Sequence, residues 1–136
     1  MLPSLVPPLS LPRAQVEPIR TATEALSVVS LAISRPLRDE LVVITCDRFN
    51  AGQSISVFDV RADFSANSCE LAHDIVGLAS ASPTAAGVIV AEVHAAHSSH
   101  RDDSFRHALS PCLERAGLRL LHFFTVRHGA VSLDRQ

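Results

Sequence analysis

Gly87–Asp103 reads GVIVAEVHAAHSSHRDD, and its first half decides the fold. Gly87–Val93 is an apolar run broken only by Glu92, and such a run fits a strand covered on both faces. Strands of this kind lie in the middle of α/β sheets, with helices above and below. The second half differs in kind. Glu92, His94, His97, His100, Asp102 and Asp103 place six acid–base or metal-ligating side chains within twelve residues. They follow on the end of the strand, where α/β proteins tend to keep their chemistry.

Downstream, Asp102 or Asp103 can cap a helix over 103–116. Phe105, Leu109, Cys112/Leu113 and Ala116 form its apolar stripe, and Gly117 its stop. Pro111 lies inside this helix and is expected to kink or split it. Leu118–Val126 (LRLLHFFTV) reads as a further strand, and His128-Gly129 as a turn into a short strand over Ala130–Leu133.

Upstream, Leu71, Ala72, Ile75, Val76, Leu78 and Ala79 recur at helical spacing behind a cap at Ser65 or Asn67, with Glu70 in the first turn. Before that helix, Glu40–Cys46 (ELVVITC) and Gln53–Val60 (QSISVFDV) flank the turn-like DRFNAG and predict a β-hairpin. A first helix is expected over 18–34, with Pro18 in its first turn and Arg35-Pro36 as its stop. Residues 1–17 form a proline-rich leader, expected to be extended and flexible, ahead of one domain over 18–136. The predicted order is α-β-β-α-β-α-β-β: an α/β fold whose mixed sheet is flanked by helices in three layers.

Composition excludes several classes of function. A net charge of −2 gives no electrostatic case for nucleic acid or an anionic membrane. All twelve basic residues are Arg, which points to a GC-rich coding sequence rather than to an activity. Cys46, Cys69 and Cys112 are widely spaced and odd in number, so a reduced, cytoplasmic protein is expected. The leader is too short and too rich in proline for a membrane helix, and it lacks the basic start of a signal peptide. No phosphate-binding glycine loop, GxSxG elbow or CxxC pair is present. Cys46 and Cys112 read as core fillers, His73 and His107 as surface residues, and His122 as a half-buried one.

The order of elements and several local motifs resemble the RadC-like branch of the JAB/MPN (JAMM) metallo-isopeptidase family, whose architecture is that of the cytidine deaminases. AGLRLLHFFTVRHGAVSL at Ala116–Leu133 looks like the family's run from a helix-ending glycine through an "I-x-L-L-D-H-x-I-V-G" strand to a short closing strand. Val42–Asp47 with Asn50 looks like its "L-x-L-D-x-x-N-R" hairpin, and Glu70–Val76 sits where it has a "P-R-E-V" helix. The likeness spans roughly residues 38–133 and bears on fold more than on activity.

The resemblance implies a zinc centre built from a strand-end His-x-His and an Asp near the start of the next helix. A Glu from an earlier strand would act as general base, and a Ser would assist the oxyanion. Three protein ligands leave one coordination position open for a water whose pKa the metal lowers. Carried over residue by residue, Glu92 takes the place of the first His, His94 keeps the second, and Asp102 keeps the Asp. Ser98 or Ser99 stands nearest to the family's Ser. The second strand reads Ser54-Ile55-Ser56 where the base is expected, and its one acid is Asp59.

The expectation is therefore a RadC-like domain with a degenerate metal site and a non-catalytic binding or scaffolding role toward a protein or peptide, with no cofactor. The alternative is a divergent zinc-dependent hydrolase in which Glu92, His94 and Asp102 hold the metal and His97 or Asp59 serves as base. Set apart from any family, Glu92 and His94 alternate onto one face of a strand. Their plain reading is a solvated pair at the sheet rim, hydrogen-bonded to each other. Asp102 is read more simply as a helix cap than as a ligand, and the loop residues His97 and His100 as solvated. Oligomeric state, a homo-oligomer included, is not encoded in any pattern found here.

Overall fold

The computed structural model describes residues 17–33, 37–59, 68–94, 104–127 and 130–134. Eight elements run in the order α1 (Ala22–Ala32), β1 (Glu40–Asp47), β2 (Gly52–Asp59), α2 (Ser68–Ser80), β3 (Ala85–His94), α3 (Ser104–Arg115), β4 (Arg119–Arg127) and β5 (Ala130–Asp134). The protein is a mixed α/β fold. Its strands form one sheet in the order β2-β1-β3-β4-β5. β3 pairs antiparallel with β1 and parallel with β4, so the apolar run Gly87–Val93 holds the centre.

Alternation along the strands divides the core into two halves. Val42, Ile44, Ile89, Ala91, Val93, Phe124 and Val126 face α1 with its Ala25 and Val29. Leu41, Val43, Val88, Val90 and Phe123 face α2 and α3, which contribute Ala72, Ile75, Phe105, Leu109 and Leu113. The result is three layers, with β3 buried on both faces.

Helix α1 is shorter than the spacing of apolar residues predicts. It starts at Ala22, and Thr21 caps it in an extended conformation with its hydroxyl accepting from the Glu24 N–H at 3.1 Å. The Glu24 carboxylate reaches back to accept from the Arg20 N–H at 2.7 Å. Thr21-x-x-Glu24 is thus a capping-box pattern, and its local hydrogen bonds outcompete the weaker start signal of Pro18. Pro18 instead forms an antiparallel bridge with Ala51, and the neighbouring Ile19 N–H donates to the Asn50 carbonyl at 2.8 Å.

Two other expectations are corrected. Helix α3 runs unbroken through Pro111, which is exposed. Phe105 and Leu109 before the proline and Leu113 after it all bury against the sheet, and this packing holds one helix together. In α2, Leu78 lies on the exposed side, while Ala72, Ile75 and Ala79 carry the buried stripe.

The end of α3 follows expectation. Gly117 adopts φ 77°, the Leu118 N–H donates to Leu113 O at 2.9 Å, and the Gly117 N–H donates to Glu114 O at 3.0 Å. This pair of bonds is the Schellman arrangement, and it turns the chain directly into β4. The caps assigned to Ser65, Asn67, Asp102 and Asp103 lie outside the described residues, as does the leader except for Glu17. No helix among the described residues is long and apolar enough to cross a membrane.

Candidate functional site

Glu92 and His94 close the C-terminal end of β3 and share the face that looks toward α2 and α3. Both are buried, at 4% and 5% exposure. The His94 Nε2 lies 3.6 Å from the Glu92 Oε1, which is an ion-pair distance and beyond a hydrogen bond. The expected rim pair, wet and hydrogen-bonded to each other, is therefore corrected on both counts. β1 and β4 flank this end of β3, and α3 packs over its face, so water is kept away from the pair.

The register adds partners that local sequence patterns do not reveal. Thr125 on β4 stands opposite Glu92, and Arg127 stands opposite His94. Thr125 is buried, and Arg127 is half-buried. Glu40, the first residue of β1, is also buried and lies opposite Val93, on the other face of the sheet from Glu92. A lone Thr inside the apolar run FFTV and an acid at the head of ELVVITC are the only traces these residues leave in the sequence.

The other expected site residues are distributed differently. Asp59 closes β2 opposite Glu40, so β1 lies between it and β3. At about 4.8 Å per strand, its backbone is about 10 Å from that of β3. Asp102, His97, His100, Ser98 and Ser99 lie outside the described residues.

The geometry of the pair permits a test of the zinc centre. A tetrahedral ion with arms of about 2.0–2.1 Å holds its donors about 3.4 Å apart. The 3.6 Å between Glu92 and His94 thus matches two corners of such a site as closely as it matches an ion pair. Among the described residues, no group of three or more His, Cys, Asp or Glu side chains could hold a metal. Two ligands alone do not make a zinc centre.

Elsewhere, Cys46 is fully buried, and burial first and the charge of Asp47 second push its thiol pKa up to about 12. It is a core filler rather than a nucleophile. Cys112 is only half-buried, against Arg115, and Cys69 is exposed. His73 and His107 are exposed, as expected. His122 is half-buried and stacks on Phe124 at 6.0 Å, and burial lowers its pKa.

A separate cleft of about 470 Å³ opens at the opposite end of the sheet, between the β1–β2 turn and the segment entering β3. At its mouth the Arg48 guanidinium lies 4.9 Å from the centre of the exposed Phe49 ring. Its lining includes neither Glu92 nor His94, which stand at the other end of β3.

No known family model matches the chain, and no curated protein matches it.

Proposed function

We propose that this chain is a RadC-like JAB-fold domain whose metal site has degenerated, and that it acts in the cytoplasm by binding or scaffolding a protein or peptide rather than by hydrolysis. The observation that carries this reading is the buried Glu92–His94 pair, 3.6 Å apart at the strand end where the family keeps its His-x-His. A carboxylate in place of the first imidazole stands at ion-pair distance from the second, a counter-charge that a pair of imidazoles would lack. The strand meant to bring the base supplies Ser54 and Ser56, with Asp59 two strands from β3. The sheet order, with the site strand central and parallel to β4, is in keeping with the family's architecture.

The second reading, a zinc-dependent hydrolase using Glu92, His94 and Asp102, draws on the same 3.6 Å spacing. Elemental mass spectrometry on the full chain after zinc loading and desalting separates the two. A trace of metal, unchanged in His94→Gln, is the expected result. About one zinc per chain, lost in His94→Gln, would overturn the binding role and turn attention to isopeptide hydrolysis.

A further inference from the structure

We infer that the cleft beside the β1–β2 turn is a docking site for a linear peptide, one that sets an acidic side chain on Arg48 and an apolar one beside Phe49. The inference deepens the binding role proposed above and rests on it. The cleft, of about 470 Å³, is lined on one side by Asp47, Arg48 and Phe49 and on the other by residues 83–86. A space of this size takes a small ligand or a few side chains of a peptide.

The turn presents its aromatic residue outward and holds it there. Phe49 is 67% exposed. The Asp47 Oδ1 accepts from the Phe49 N–H at 2.8 Å and from the Ala51 N–H at 3.0 Å. The Asn50 N–H donates to Asp47 O at 2.9 Å, and Asn50 takes the left-handed conformation, φ 66°, that closes the turn. The facing wall is braced against the hairpin. Gln53 of β2 donates from Nε2 to the Thr84 hydroxyl and accepts from the Ser82 hydroxyl at 3.4 Å. The Ala85 N–H donates to Ser82 O at 3.2 Å, and Pro83 within that turn has its φ fixed by its ring. Both walls are thus ordered before a ligand arrives, which lowers the cost of binding.

Charge sets the class of partner. Among the described residues of the lining, Asp47 and Arg48 carry opposite charges. The Asp47 carboxylate is half-buried and engages one oxygen with the two N–H groups of its own turn. The Arg48 guanidinium is exposed and lies 4.9 Å from the centre of the Phe49 ring. A ring attracts the cation without taking up its N–H donors as a carboxylate does, so those donors remain for an acidic side chain. Phe49 and Pro83 supply apolar surface next to that charge. Arginine and aromatic side chains together are the composition that recognition sites favour.

The experiment pans a random peptide library displayed on phage against the full chain, Phe49→Ser and Arg48→Gln. The parent is expected to enrich sequences with Asp or Glu next to Leu, Ile or Phe, and neither variant to do so. The leading sequence, made as a synthetic peptide, should shift the NMR amide signals of Arg48, Phe49 and Thr84 in the parent. It should bind Phe49→Ser about tenfold more weakly, and added salt should weaken binding to the parent more than to Arg48→Gln. Peptides enriched equally on all three chains would overturn the site and leave the binding role standing. Enrichment of basic peptides would give the cleft to Asp47 and overturn the acidic class. If no chain enriches any sequence, the site and the binding role fall together. Should a variant fail to fold, shifts in the parent confined to residues outside the cleft sink the site.

Discussion

At the residue scale, the molecule keeps its ionisable groups in unlike surroundings. His122 stacks on Phe124, and burial lowers its pKa from 6.5. The unfolded chain therefore takes up this proton before the folded one does. The contribution of His122 to stability is complete above pH 6.5 and is lost as the pH falls from 6.5 through the lowered folded value. Urea titrations at a series of pH values should show a flatter acid limb for His122→Gln than for the parent. Parallel curves would show that the imidazole is equally solvated in both states. Glu92 and His94 could be placed on one face of a strand from sequence, because alternation is a local property. Their burial could not, nor could Thr125 and Arg127 beside them, because those neighbours come from a strand more than thirty residues further along the chain.

At the scale of the element, local chemistry was legible wherever it had no rival. Gly117 stops α3 because a left-handed residue there completes two hydrogen bonds. At α1 two start signals competed: Pro18 was the more conspicuous, while Thr21 with Glu24 had the stronger bonds. Tertiary pairing decided the outcome by giving Pro18 a place beside Ala51. Pro111 departs from its local signal for a related reason. Its local cost is real, but the buried stripe on either side of it holds the helix continuous. That cost should be recoverable. Pro111→Ala restores a donor to the last turns of α3 at an exposed position, and a gain of about 1–3 kcal/mol in chemical denaturation is expected. A loss of stability would mean that the proline is favoured by the geometry of this helix.

At the scale of the whole molecule, the central strand organises everything else. Its apolar character announced its position, and the three layers follow from two apolar faces needing cover. The tightest joint is at Gly87, where an added Cβ would meet the Leu121 side chain at 3.0 Å and the Arg119 carbonyl oxygen at 3.1 Å. Gly87→Ala must therefore push β3 and β4 apart at the head of their parallel pairing. A loss of about 1–3 kcal/mol in urea denaturation is expected. An unchanged midpoint would mean that Leu121 swings aside freely.

The strand order also bears on how quickly the chain can find this structure. β1–β2 and β4–β5 are hairpins of near neighbours, formed on the microsecond scale of local loop closure. β3 belongs to neither. It must meet β1 across the span that holds β2 and α2, and then meet β4 with α3 folded between them. Such distant pairings bear their entropic cost before any contact repays it. The strand that sits at the middle of the finished sheet is thus the one that joins two preformed halves, and the speed of folding rests on its arrival.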